Sequence, residues 1–127
     1  MGTGTTILII TIIVMAAYFF GTKLYQKRYL KTLNQDEFIA GYRKAQLIDV
    51  REPNEYEAGH ILGARNIPLS QLRMRKAEIR IDRPVYLYCQ QGMRSAQAAG
   101  ILKRLGCTDI SHLKGGFKTW TGKIKKK

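Results

Sequence analysis

No Asp, Glu, Lys or Arg occurs between Gly2 and Thr22, so the 22 basic and 9 acidic side chains of this 127-residue chain all fall between Lys23 and Lys127. An average over the whole chain therefore describes neither part. Cysteine is scarce as well: Cys89 and Cys107 are too few for a disulfide-stapled mini-protein, and their spacing to His60 and His112 fits no zinc pattern. A disulfide framework and a structural metal site are not expected on those grounds. Three prolines and 45% hydrophobic residues argue against a disordered tail, and the length allows one small domain. Acidic residues are few enough to leave a net charge of +13. Yet no aromatic and basic interleaving of a nucleic-acid module is present, and Lys118 with Lys123–Lys127 forms a run rather than a groove. Nucleic acid is not an expected partner.

The uncharged stretch can span a bilayer. About twenty helical residues rising ~1.5 Å each cover the ~30 Å hydrocarbon core, and residues 3–22 are apolar on every face. A cleaved signal peptide would show a basic stretch before a shorter apolar run and a small-residue site after it. Neither is present, so residues 1–28 are expected to be a transmembrane anchor with its basic flank. Tyr18, Phe19 and Phe20 stand where the helix reaches the headgroups, and Lys23, Lys27, Arg28 and Lys31 follow directly. That order marks the cytoplasmic end of a span. It predicts a single-pass protein with its N-terminus outside and residues 23–127 in the cytosol, where free thiols persist. Most of the excess positive charge lies at the two ends, at those four residues and at Lys118, Lys123, Lys125, Lys126 and Lys127. Anionic lipid explains such ends, and the body between them is only mildly basic.

After a basic linker, Leu30–Leu33 reads as a short strand, and Asn34 with Glu37 has capping-box spacing for a helix to Lys44. Residues 45–50 read as a buried strand. Pro53 opens a helical turn through Ala58 that Gly59 stops. Residues 64–67 form a strand, and Pro68 with Ser70 opens an amphipathic helix to about Glu78. Val85–Cys89 is β-branched and aromatic, hence a strand. The loop Gln90–Met93 leads into a helix, Arg94–Leu105, ended by Gly106. Thr108–His112 is a last strand, and Gly115-Gly116-Phe117 begins a closing helix containing Trp120. Strands alternating with helices predict an α/β fold, a mainly parallel sheet flanked by helices. Its domain is expected over residues 29–122, with a basic tail at 123–127.

Reactive groups in such sheets gather beyond the carboxyl ends of the strands. One such end is Asp49-Val50-Arg51-Glu52; the other is Cys89-Gln-Gln-Gly-Met-Arg94-Ser95, a cysteine followed by a tight loop and a helix N-terminus. Loop N–H groups and the helix dipole favour negative charge on the sulfur, the nucleophilic form of cysteine. Gly92 permits the wrapped backbone, and Arg94 supplies a cation for an anionic substrate. Cys89 could instead be a small buried hydrophobe, the usual fate of a free cysteine. The glycine, the arginine and the helix directly after it favour the reactive reading.

Four segments in this order, Leu47-Ile-Asp-Val-Arg51-Glu52, Glu57-Ala-Gly-His-Ile61 with Gly63-Ala-Arg-Asn-Ile-Pro68, Cys89-x-x-Gly92-x-Arg94-Ser95, and Leu113-Lys-Gly-Gly-Phe117 with Trp120, resemble the rhodanese-like domains. The resemblance implies the rhodanese fold and a sulfurtransferase whose cysteine carries a persulfide between donor and acceptor. By position it implies that Cys89 forms the persulfide. Gln90, Gln91, Gly92, Met93 and Arg94 surround it as the substrate-binding loop, with Ser95 beside the sulfur and Arg94 holding the donor's anionic group. Asp49 and Arg51 fall near the pocket with a mainly electrostatic and structural role. Phosphatases related to this fold use Cys-x5-Arg, whereas Cys89 and Arg94 are separated by four residues, a loop suited to sulfane sulfur. The implied partners are a small donor such as thiosulfate and a thiol or cyanide acceptor. An alternative is a membrane-tethered sulfur-relay module with little turnover of small donors; an inactive adaptor is a third reading, which the presence of Cys89 opposes.

Other residues have blander readings. Cys107 follows a helix about 18 Å long, too far from Cys89 for a disulfide, and reads as buried. His60 reads as a hydrogen-bonded structural residue, and His112 and Trp120 as packing groups. Arg73, Arg75 and Lys76 read as a solvated face, and Ser95 as a helix cap.

Overall fold

In a computed structural model that describes residues 2–126, the uncharged stretch lies within one continuous helix, α1 (Gly2–Tyr29), long and apolar enough to cross a membrane. Met1 of the expected anchor and Lys127 of the expected basic tail lie outside the described residues. The expected linker after the span is absent: α1 runs directly into strand β1 (Leu30–Leu33). No glycine or proline interrupts residues 22–29, and the last turns are held by the domain. Gln26 Nε2 donates to the Ala96 carbonyl at 3.2 Å, and Tyr29 packs against the core.

Helix α2 (Gln35–Gly41) opens on a reciprocal cap. Asn34 Oδ1 accepts from the Glu37 amide at 2.9 Å while Glu37 Oε1 accepts from the Asn34 amide at 3.1 Å. A turn of 3₁₀ helix then leads to β2 (Gln46–Asp49), α3 (Pro53–Ala58), β3 (His60–Ile61) and β4 (Arg65–Asn66). The second half comprises β5 (Val85–Tyr88), α4 (Met93–Leu105), β6 (Ile110–Leu113) and β7 (Ile124–Lys125). Five strands form one sheet in the order β1-β6-β5-β2-β4, every neighbouring pair parallel. The chain leaves β2 towards β4 on one side and returns at β5 on the other, so the strand order reverses between β2 and β5. Ligands in open parallel sheets bind at the carboxyl ends beside such a reversal.

Side-chain alternation sorts the core into two layers. Ile48, Val85, Leu87 and Ile110 face α4, whose Ala98 and Ala99 let it approach closely and whose Leu102 fills the space. Leu47, Tyr88 and Leu113 face the other way, onto Phe38, Tyr42 and Trp120.

Two expected helices are not regular. Residues 68–78 contain only 3₁₀ turns, Leu69–Gln71 and Lys76–Glu78, because their ends are tied to the sheet. The Leu69 amide donates to the Val50 carbonyl at 3.1 Å, and Arg75 reaches the Asn66 carbonyl at 3.2 Å while its fork binds Glu78. Arg75 is thus a fastening rather than part of a solvated face. The closing helix shrinks to one 3₁₀ turn, Phe117–Thr119, whose leading amides, those of Phe117 and Lys118, donate to the Cys89 and Gln90 carbonyls. Part of the expected tail is paired: Ile124–Lys125 lies antiparallel to His60–Ile61.

Candidate active site

Cys89 stands one residue beyond β5 and Arg51 two beyond β2, on adjacent strands. The loop after Cys89 turns at Gly92, whose φ of +123° a side chain would strain, and its amide donates to Cys89 Sγ at 2.9 Å. The sulfur therefore sits on the N-terminus of the thirteen-residue helix α4, where the N-cap Gly92 offers no side chain. Backbone donor and helix dipole both favour an anion there. Cys89 is 1% exposed and lies at the floor of a cleft of about 420 Å³ whose rim is Gln90, Gln91, Met93, Arg94 and Gln97. Met93 is already the first helical residue, one earlier than expected. Its side chain is exposed, as is that of Gln91.

Arg51 ties the two strand ends together from inside. Its Nε lies 3.0 and 3.1 Å from the Asp49 oxygens and one terminal nitrogen 2.7 Å from Oδ2; that nitrogen also donates to the Gly59 carbonyl at 2.7 Å. The other terminal nitrogen donates to Gln90 Oε1 at 3.1 Å, and the guanidinium lies 4.3 Å from the centre of the Phe117 ring. Asp49 is fully buried and Arg51 2% exposed, and neither lines the cleft. Burial alone would lower the Arg51 pKa, but the hydrogen bonds and charge of Asp49 outweigh it and raise it.

Sequence reasoning missed Glu55. Its carboxylate takes both arms of the Arg94 fork, at 2.7 and 3.0 Å, across the mouth of the loop. The Arg94 hydrogen bonds hold the Glu55 carboxyl down at about 2, and the same bonds raise Arg94. Glu55 is also the N3 partner that bonds the Glu52 amide at 3.1 Å, the capping box of α3. The spacing of Glu52 and Glu55 around Pro53 was a signal of a cap, not of a partner for Arg94.

Ser95 and His112 also differ from expectation. Ser95 is the third residue of α4 and caps nothing; its hydroxyl lies 3.5 Å from Cys89 Sγ, 3.0 Å from the Gly92 carbonyl and 2.8 Å from His112 Nδ1. His112 is hence a polar neighbour of the site, not a packing group. His60 meets its expectation: it is buried, stacks on Tyr56 and has Nδ1 2.7 Å from the Tyr56 carbonyl. Cys107 is buried in the core, and burial pushes its thiol up. No group of three or more His, Cys, Asp or Glu among the described residues is placed to share a metal ion.

The last piece is Gly116. Its φ of +68° and ψ of −163° belong to a region only glycine occupies readily, and a Cβ there would stand 2.5 Å from the Cys89 carbonyl oxygen. Gly116 lets the next two amides reach the loop, at 2.8 Å from Cys89 O and 3.1 Å from Gln90 O.

The profile of the rhodanese-like domain matches residues 28–123. The chain belongs to the rhodanese-like domain family. Among its relatives is an uncharacterized protein of Bacillus subtilis, YqhL, 64% identical over 121 residues, which cover 93% of this chain and 96% of that one. A Pseudoalteromonas translucida protein named thiosulfate sulfurtransferase GlpE is 33% identical over 64% of this chain and 77% of its own. The crystal structure of a rhodanese-related protein from Thermoplasma volcanium superposes with a TM-score of 0.70 at 29% identity, over 76% of this chain and 99% of that one. The rhodanese fold and its sulfurtransferase family are thereby shown.

Proposed function

We propose that this rhodanese-like chain is a membrane-anchored, thiosulfate-type sulfurtransferase in which Cys89 carries sulfane sulfur as a persulfide. The observation that carries this reading is the seat of the sulfur: buried at a strand end, on a helix N-terminus, with the Gly92 amide 2.9 Å away. In the first half-reaction the Cys89 thiolate attacks the outer sulfur of the donor. The donor's S–S bond breaks and sulfite leaves with its electron pair. In the second, an acceptor such as cyanide or a thiolate attacks the terminal sulfur, the persulfide bond breaks, and the Cys89 thiolate returns. The loop amide holds negative charge on sulfur throughout. Gln90, Gln91, Met93 and Arg94 would meet the donor, whereas Asp49 and Arg51 would act by holding the loop. α1 would place residues 3–22 in the membrane with the N-terminus outside and the domain cytoplasmic, its basic flank on anionic lipid.

The test is full-length protein in detergent with thiosulfate and cyanide, compared with Cys89→Ser. Thiocyanate formed by the wild type and lost in the variant supports the reading. A second reading, a sulfur relay that receives its sulfur from a protein, draws on the closed Arg94–Glu55 pair, which commits both terminal nitrogens of Arg94 to a neighbouring carboxylate. A single added sulfur on Cys89 by mass spectrometry, without turnover, would favour the relay. Neither turnover nor added sulfur would refute both.

A further inference from the structure

The Cys89 sulfur has a partner on its inner side as well as at its mouth. Ser95 is fully buried, and its hydroxyl bridges Sγ, 3.5 Å away, and His112 Nδ1, 2.8 Å away. Beyond the ring, His112 Nε2 lies 3.1 Å from Thr32 Oγ1. Thr32 is exposed, and with His112 it lines a cleft of about 210 Å³ at the foot of α1, alongside Lys23 and Lys27. Four elements thus contribute one side chain each to a single file from the buried sulfur to solvent. The sheet register imposes the file. Thr32, His112 and Leu87 are directly paired across β1, β6 and β5, and Cys89 follows Leu87 by two residues on the same face, the face that α4 covers.

Two proton arrangements satisfy these contacts, because the Ser95 hydroxyl can donate either to the Gly92 carbonyl, 3.0 Å away, or to His112 Nδ1. In the second, a hydrogen on Nε2 lets His112 donate to Thr32 Oγ1 and leaves Nδ1 bare for the Ser95 hydroxyl, whose Oγ is then free to accept from the Cys89 thiol. Burial lowers the His112 pKa below its ordinary value, so the resting ring is neutral. The other histidine, His60, faces the Tyr56 carbonyl and does not join the file.

We propose that His112 is a positioning residue of the sulfur site that acts through Ser95 as the acceptor of the Cys89 thiol proton. The proposal rests on reading Cys89 as the sulfur carrier. In the step, the S–H bond breaks and its electron pair stays on Sγ. Ser95 Oγ takes that proton while passing its own to Nδ1, giving a thiolate beside an imidazolium. The imidazolium stays beside the thiolate as its counter-charge. Charged groups stand on each side of the file. Lys23 and Lys27 of α1 line the outer cleft together with His112. The paired Arg94 and Glu55 stand at the opposite mouth, the paired Asp49 and Arg51 at the next strand end, and β5 presents apolar Leu87 to the ring.

The test reads the thiol itself, in the full chain in detergent: the rate of iodoacetamide alkylation against pH, assigned to Cys89 by peptide mass spectrometry. His112→Asn keeps an acceptor near Nδ1 but cannot take a proton. Alkylation at pH 7 should slow about tenfold, with the profile displaced about one unit to higher pH. Ser95→Ala should do the same, and the double variant should be no worse than either. A His112→Asn profile that overlays the wild type overturns the proposal. A second measurement needs no His112 variant: the ring ¹⁵N signals of His112 in the wild type, titrated with Cys89 free and with Cys89 alkylated. Coupled groups should give midpoints about one unit apart, and coincident midpoints overturn the proposal. Both readouts are independent of thiocyanate formation, so failure of the sulfurtransferase reading and failure of this one are separately visible.

Discussion

Removing one member of the Asp49–Arg51 pair should cost far more than removing both. In Arg51→Met, Asp49 stays fully buried, and of the four hydrogen bonds from Arg51 to its carboxylate only that from the Arg51 amide, at 2.9 Å, survives. Breaking a buried pair in this way costs about 3–5 kcal/mol, a large share of the roughly 5–15 kcal/mol that holds a domain together. Asp49→Leu leaves the complementary problem, a guanidinium 2% exposed whose remaining partners are the Gly59 carbonyl, Gln90 and two aromatic rings. The double variant removes both charges and should cost less than either single change, since apolar replacement of a buried pair is often near neutral. Trp120, the single tryptophan, packs on Phe38 and reports unfolding by fluorescence in urea. With a slope of about 1–3 kcal/mol per molar urea, each single variant should lower the midpoint by roughly 1–5 M. Single variants within about 0.5 kcal/mol of wild type, as surface changes are, would refute the reasoning. Additive losses in the double variant would refute it equally.

Two further variants probe the loop's surroundings. Glu55 has a folded pKa near 2, below its ordinary 4.5, so its contribution is complete above pH 4.5 and is lost as pH falls towards 2. Both partners are about a third exposed, so the pair is worth about 1–2 kcal/mol after screening. The stability gap between wild type and Glu55→Gln, from thermal melts, should be present at pH 7 and shrink by pH 2.5; a gap independent of pH would sink this. The same variant frees the Arg94 fork and should lower the KM for thiosulfate, and an unchanged KM would show that Arg94 does not meet the donor. Gly116→Ala should lose about 1–3 kcal/mol from backbone strain. It should also cut sulfur transfer at least about tenfold, because its methyl group displaces the Cys89 carbonyl; transfer at the wild-type rate would refute that.

The alternation of apolar runs with capped helices was legible because each signal is local. Asn34 and Glu37 cap α2 as their spacing requires, Pro53 opens α3 and Gly59 ends it, and β1 begins and ends at Leu30 and Leu33. The loop after Cys89 was legible for the same reason, since sulfur, glycine and helix are consecutive. Segments whose hydrogen bonds go to distant partners were not. Residues 68–78 read as a helix because their apolar positions recur at helical spacing, but the Leu69 amide and the Arg75 fork are committed elsewhere. Glu55 reaches Arg94 across 39 positions and His112 reaches Ser95 across 17. No periodicity records such pairs, only the sheet order that lays β5 between β2 and β6.

That sheet order also explains why four motifs scattered along the chain carry meaning together and little apart. The Asp49-Val-Arg51 segment supplies the guanidinium that holds Gln90 from behind, at 3.1 Å. The Gly59-His-Ile segment contributes the carbonyl that keeps the guanidinium in place, at 2.7 Å. The Gly115-Gly116-Phe117 segment sends two amides to the carbonyls of Cys89 and Gln90 and lays its phenyl ring against the same guanidinium. Arg51 and the two amides act on the first two residues of the cysteine loop, while Gly59 and the Phe117 ring hold Arg51 in place. With those two held on both sides, the turn at Gly92 closes with its N–H on the sulfur. A change in any one segment releases the loop from one direction only. The four motifs are therefore a single physical device, and their occurrence in order is the sequence image of one constrained hydrogen bond.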